Sequence, residues 1–231
     1  MRILGIIGGT SWESTAQYYR LINEGVRDRL GGLRSAHMML ASVDFQDYSD
    51  AMAADRWEAV EAGLLGEADR LVAAGSEALL IASNTMHLLA ESIERRSGLR
   101  VLHIADAAGA EIVRAGLGRV GLLGTRYTME KGFYKDRFRE RYGIESLVPS
   151  EGERETVNGI IFDELCRGIF RDASKLELLS IVGRLVDSGA EGIVLGCTEL
   201  PLAIRQADLE LPLLDTLGLH ARMAVDYLVG E

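Results

Sequence analysis

Cys197 and Ser83 are the residues around which a chemistry can be built. Cys197 lies in Ala190-Glu191-Gly192-Ile193-Val194-Leu195-Gly196-Cys197-Thr198-Glu199-Leu200-Pro201. The run Ile193 to Leu195 reads as a short buried strand. Pro201 suits the first turn of a helix, where backbone N–H groups have no partner, and Thr198 stands where a cap is needed. Cys197 is therefore expected where a strand ends and a helix begins. Unpaired N–H groups and the helix dipole at such a place lower a thiol pKa and attract carboxylates.

The same unit occurs a second time. Arg70-Leu71-Val72-Ala73-Ala74-Gly75-Ser76-Glu77 matches Arg184-Leu185-Val186-Asp187-Ser188-Gly189-Ala190-Glu191 at an offset of 114 residues, which also carries Ser83 onto Cys197. A thiol and a hydroxyl on opposite faces of one carbon would suit stereochemical inversion, in which one group removes a proton and the other returns it. Plainer roles stand beside these: free Cys often packs as a small hydrophobe, and Ser is a common N-cap. His87 lies one helical turn after Ser83, where it either points the same way or sits on the helix surface or between the lobes. Cys166, next to Gly168 at a helix end, and His103, at a strand end, read as structural.

The elements that must position these turns alternate strand and helix, the mark of parallel α/β sheets. Strands are expected at residues 3–7, 37–43, 78–82, 101–104, 121–125, 144–148, 193–195 and 211–214. Thr10 and Glu13 have capping-box spacing, opening a helix that ends at Gly31-Gly32. Residues 44–55 read as a polar functional loop. Further helices are expected at 56–74, 86–96, 105–115, 128–142, 151–167, 172–188 and 215–229. Gly121 to Thr125 echoes Gly5 to Gly9 at an offset of 116, which also aligns Tyr134 with Tyr18. The repeat implies two pseudo-symmetric lobes, parallel sheets flanked by helices, with a cleft between them. The first lobe is expected from 1–104 plus 212–231 and the second from 105–211. Strand carboxyl ends, where open parallel sheets bind ligands, would carry Thr10, Ser83, Thr125 and Cys197.

The bulk composition narrows the class. At 231 residues and 48% hydrophobic, the chain can bury a substantial core. A net charge of −10 argues against nucleic acid and anionic membrane surfaces. No apolar run reaches the roughly 18 residues a membrane span needs, and the start reads as a first strand, so a cytoplasmic protein is expected. Two cysteines make no disulfide framework. The four His show no metal-ligand spacing, and the glycines form neither a dinucleotide fingerprint nor a P-loop.

Together, Gly8-Gly9-Thr10-Ser11-Trp12-Glu13-Ser14-Thr15, Ser83-Asn84-Thr85-Met86-His87, Leu123-Gly124-Thr125 and Gly196-Cys197-Thr198-Glu199 resemble the aspartate/glutamate racemase family over essentially the whole chain. The resemblance implies two α/β lobes with the active site between them, a homodimer and no cofactor. It also implies a small amino-acid substrate, most closely aspartate or glutamate. The family's usual pair of thiols falls on Cys197 and on Ser83, where this sequence departs from the pattern. Asn84, Thr85 and Thr198 match positions that bind the substrate's α-carboxylate and amino group. Thr10, Thr125, Glu199 and Met52 complete the expected binding set, although Gln46 and Arg56 compete with Met52 for the substrate side chain. With one thiol gone, two alternatives stand: a carboxylate or amino-acid binder without turnover, and a one-Cys decarboxylase or isomerase.

Overall fold

A computed structural model describes residues 1–230. The chain runs β1 (Leu4–Gly8), α1 (Trp12–Leu30), β2 (Met38–Ser42), α2 (Phe45–Ala53), α3 (Trp57–Ala73), β3 (Ala78–Ile81), α4 (Ala90–Ser97), β4 (Val101–Leu102) and α5 (Ile104–Arg114). It continues β5 (Arg119–Gly124), α6 (Arg126–Glu130), α7 (Gly132–Arg137), β6 (Glu145–Leu147), α8 (Glu151–Gly159), α9 (Asp172–Asp187), β7 (Ile193–Gly196), α10 (Leu200–Ala203), β8 (Leu213–Asp215) and α11 (Thr216–Val229). Among the described residues the strands form two four-stranded sheets, β2-β1-β3-β4 and β6-β5-β7-β8. Every pairing is parallel. Two parallel sheets flanked by helices are the pseudo-symmetric α/β architecture expected from the repeat.

By internal contacts the first unit is Met1–His103 with the chain from His220 onward, and the second is Ile104–Leu219. A boundary at 212 would place this strand with the first lobe, but β8 pairs with β7, Val194 opposite Leu214. The division falls instead inside α11, between Leu219 and His220.

Helices on both faces of each sheet explain why the central strands are apolar without alternation. In the first unit Leu4, Ile6, Ile7, Leu79, Leu80 and Ile81 are at most 2% exposed. In the second, alternate residues of β7 divide between two clusters. Ile193 and Leu195 join residues of α8 and α9, whereas Val194 joins Leu122 and residues of α5 and α7. Burying each such side chain stabilises the fold by about 1.5–3 kcal/mol. Cys197 continues the face of Ile193 and Leu195 and packs in their cluster.

Glycine is required where the strands meet the turns. Gly9 adopts φ +94°, and a Cβ there would run into the backbone of Val43. A Cβ on Gly124 would lie 2.7 Å from the carbonyl oxygen of Gly196, so the close approach of β5 to β7 just before Cys197 depends on bare backbone.

Several local expectations are corrected. The cap of α1 is Ser11, not Thr10: Ser11 Oγ accepts from Ser14 N at 3.2 Å. The left-handed turn at Gly9 carries the chain one residue further before the helix starts. Residues 44–55 are largely helical, because Asp44 caps α2 through Gln46 N at 3.0 Å and Ala51 and Met52 are buried on its inner face. The expected helix at 128–142 is divided: Lys131 is extended (φ −74°, ψ 153°) before Gly132, and a π turn closes it at Phe138–Tyr142. The helix expected to reach Arg167 leaves α geometry after Gly159, passing through a π turn and a 3-10 turn that carries Cys166.

Candidate active site

The registers place the two turns alike. Ile7 lies opposite Ile81 in the first sheet, and Leu123 opposite Leu195 in the second. Two residues beyond each of the latter stand Ser83 and Cys197. Within the first unit Thr10 follows β1 and the Ser83-Asn84-Thr85 turn follows the adjacent β3. Within the second Thr125 follows β5 and Cys197-Thr198-Glu199 follow the adjacent β7. The candidate residues thus form two groups, each at the carboxyl ends of adjacent strands.

In the second unit Cys197, Thr198 and Glu199 are all buried. Cys197 Sγ donates to Glu199 Oε2 at 3.0 Å, and Thr198 Oγ1 donates to the same oxygen at 2.8 Å. The helix that follows is only the four residues of α10, with Pro201 in its first turn. This overturns the expected electrostatics. Burial drives the Cys197 thiol pKa well above its ordinary value, and the Glu199 carboxylate pushes it the same way. Thr198 is not the helix cap, a position held by Glu199 without a side-chain bond to the helix. Thr125 caps α6, its Oγ1 accepting from Thr128 N at 3.4 Å. Behind the turn, Thr216 Oγ1 donates to Leu195 O at 2.7 Å, and the fully buried Tyr134 hydroxyl bonds Thr216.

In the first unit Ser83 is half-buried, and Asn84 and Thr85 are buried. Ser83 N donates to Ile81 O at 2.8 Å, making a tight turn. Its Oγ accepts a long bond from Met86 N at 3.5 Å. A 3-10 turn over Thr85–Leu89 precedes α4. His87 Nδ1 lies 2.6 Å from Ser83 O, so His87 holds the turn by its backbone.

His87 belongs to a buried group that sequence reasoning missed. Its ring centroid is 4.6 Å from that of His103 and 5.5 Å from that of His220. His220 Nε2 donates to Leu102 O at 2.6 Å, and its Nδ1 accepts from the Tyr18 hydroxyl at 2.8 Å. This neutral tautomer satisfies both nitrogens. Burial, reinforced by His87, lowers the His220 pKa to about 3. No spacing rule links positions 87, 103 and 220.

The segment after β2 presents its three candidates differently. Met52 is 5% exposed. Gln46 donates its side-chain amide to Asp50 at 2.8 Å. Arg56 lines an open hollow of about 370 Å³ with Asp47, Tyr48 and Val60. Among the described residues no three or more His, Cys, Asp or Glu side chains are grouped to hold a metal ion. No helix there is long and apolar enough to cross a membrane.

Each of the two parallel α/β units thus ends its third strand in a turn that carries a candidate side chain, Ser83 after β3 and Cys197 after β7. Residues 7–224 match the Asp/Glu/hydantoin racemase family, and the chain belongs to that family. Its fold is similar to a crystal structure from Yersinia pestis assigned to the Asp/Glu racemases, with 45% identity, TM-score 0.93, and coverage of 99% of this chain and 100% of that one. An aspartate racemase homologue from Pyrococcus horikoshii is 35% identical over 100% of both chains, with TM-score 0.83. The aspartate racemase of Picrophilus torridus, 17% identical over 100% of this chain and 95% of that one, with TM-score 0.76, shares the fold. Membership brings with it the cofactor-independent, racemase-like chemistry of this superfamily.

Proposed function

We propose that the protein racemises an amino acid, aspartate or glutamate, without a cofactor, with Cys197 as principal acid/base and Ser83 serving the opposite face of the α-carbon. The observation that carries this reading is the buried Cys197 thiol directly after β7, hydrogen-bonded to a carboxylate, in the register that gives Ser83 after β3. A binder has no use for a thiol so placed. Thiolate at Cys197 takes the α-proton, and a water held by Ser83 supplies a proton to the other face. Thr10, Asn84, Thr85, Thr125 and Thr198 hold the α-carboxylate and ammonium, and Met52 packs near the side chain. In such desolvated surroundings hydrogen bonds to the charged groups are strong. We also propose a homodimer, as the family resemblance implies, which light scattering checks.

Solvent-deuterium exchange at the α-carbon, across L- and D-amino acids, tests the reading. Exchange with aspartate or glutamate and loss of optical activity are expected. No exchange with any amino acid means a binding protein and ends the proposal. The hydroxyl at position 83 favours one further reading, a reaction confined to the Cys197 face, such as decarboxylation with proton return. Exchange without loss of optical activity, or release of carbon dioxide, would select it.

A further inference from the structure

We infer that His87 is the positioning residue of the Ser83 turn: its ring takes the Ser83 carbonyl and so sets the Ser83 hydroxyl to donate. What this does for turnover rests on the racemase reading, whereas the anchoring rests on hydrogen bonds within the turn.

The two turns differ in what meets the carbonyl of the candidate residue. A carbonyl at the start of a helix accepts from a backbone N–H three or four residues on. After β7 it does so, Leu200 N donating to Cys197 O at 3.3 Å. The 114-residue offset puts Met86 where Leu200 stands and His87 where Pro201 stands. After β3 the two amides are directed elsewhere. Met86 N goes to the Ser83 hydroxyl, at a long 3.5 Å, and His87 N goes to Asn84 O at 3.1 Å. The His87 ring meets the Ser83 carbonyl instead, with Nδ1 at 2.6 Å. A carbonyl only accepts, so Nδ1 carries the hydrogen. Pro201 has neither an N–H nor a side-chain donor, so this anchor belongs to the first unit alone.

The ring is itself enclosed. It is 2% exposed, between His103 and His220 at centroid distances of 4.6 and 5.5 Å. His220 is pinned in turn by Leu102 O at 2.6 Å and the Tyr18 hydroxyl at 2.8 Å. Nδ1 therefore keeps one direction, and with the carbonyl held, Met86 N stays aimed at Ser83 Oγ. One lone pair of Oγ is then occupied, and the hydroxyl hydrogen is left to donate. In the proposed reaction Ser83 holds a water. A hydroxyl that donates to that water binds it by its oxygen and leaves its hydrogens for the α-carbon. The water's O–H bond breaks, the Cα–H bond forms, and the Ser83 O–H meets the hydroxide left behind. The proton that Cys197 carried off leaves to solvent and balances it.

The test uses the full-length protein. Nitrogen-15 NMR of labelled histidine should show His87 with its hydrogen on Nδ1. A ring protonated on Nε2 alone overturns the anchoring. In deuterium oxide, with aspartate and glutamate, inversion is measured beside exchange with retained configuration, which needs only the Cys197 face. His87→Phe keeps a ring and removes the donor. It should lower the ratio of inversion to retained exchange by about 10-fold to 10²-fold, the scale of a misplaced group, through kcat and not KM. His87→Asn, with an amide nitrogen near the place of Nδ1, should recover most of the ratio. His87→Gln, whose amide lies one bond further out, should not. An unchanged ratio in His87→Phe, or equal ratios in the Asn and Gln variants, overturns the positioning role and leaves His87 as packing. If His87→Phe does not fold, the comparison of His87→Asn with His87→Gln decides. If the unsubstituted protein exchanges no amino acid, the racemase reading fails, and the tautomer still decides the anchoring.

Discussion

The turn after β3 and the turn after β7 share a strand register and differ in what supports Ser83 and Cys197. Ser83 is steadied from four residues on, by the His87 ring against its carbonyl. Cys197 is bonded from two residues on, by the Glu199 carboxylate at its sulfur. One arrangement fixes the main chain and leaves the hydroxyl half-buried, whereas the other holds the sulfur itself in an apolar cluster. A repeat can therefore preserve register while the chemistry diverges, because register depends on strand pairing and the chemistry on a few side chains beyond it.

Removing the thiol should break the comparison most severely. Cys197→Ala is expected to lower α-proton exchange by about 10²–10⁴-fold, at a stability cost of about 1 kcal/mol for the lost buried group. Exchange at the unsubstituted rate in a folded variant would rule out Cys197 as the base.

Restoring symmetry should act the other way. Ser83→Cys is expected to raise racemisation by about 10-fold to 10²-fold, since a thiol pKa lies nearer the working pH than that of a hydroxyl. The gain should be larger for the enantiomer whose α-proton meets position 83, because only that direction needs the group as a base. If Ser83 is a helix cap alone, the substitution costs about 0.5–2 kcal/mol of stability and accelerates neither direction. Initial rates from both enantiomers separate the outcomes.

The imidazole group behind Ser83 has no counterpart behind Cys197, and pH should expose it. His220 is held neutral with its pKa lowered to about 3, whereas an unfolded His titrates near 6.5. Its contribution is therefore complete above about pH 6.5 and is lost as pH falls toward 3. Urea midpoints should show an acid loss of about 3 kcal/mol between pH 7 and pH 4 beyond that of His220→Gln. Parallel pH profiles for the two proteins would remove His220 from the acid response.

The smallest expected effect concerns the two thiols of the second unit. Iodoacetamide should label Cys166, which is partly exposed, several-fold faster than the buried, protonated Cys197. Mass spectrometry reads the order. Faster labelling of Cys197 would show that the thiol ionises more readily than its surroundings dictate.

How far the sequence reached can be traced residue by residue. The strands were legible because stretches such as Ile193 to Leu195 are apolar without interruption and bounded by glycine, a short-range signal. The paired turns were legible because the 114-residue offset is a property of the string itself. The helix at Phe45–Ala53 was missed although Asp44 and the buried Ala51 and Met52 carried its signal, since the polar residues between them resemble a loop. Burial by distant residues could not be read locally. Helix-start composition argued for an activated thiol at Cys197, but only four helical residues follow it, and the packing of α8 and α9 determines the dielectric around its sulfur. The meeting of Tyr18, His87, His103 and His220 is likewise tertiary, since it depends on α1, the turn after β3, the end of β4 and α11 converging. Sequence alone determined which residues stand at strand ends; only the folded chain decided how much water and charge each one meets.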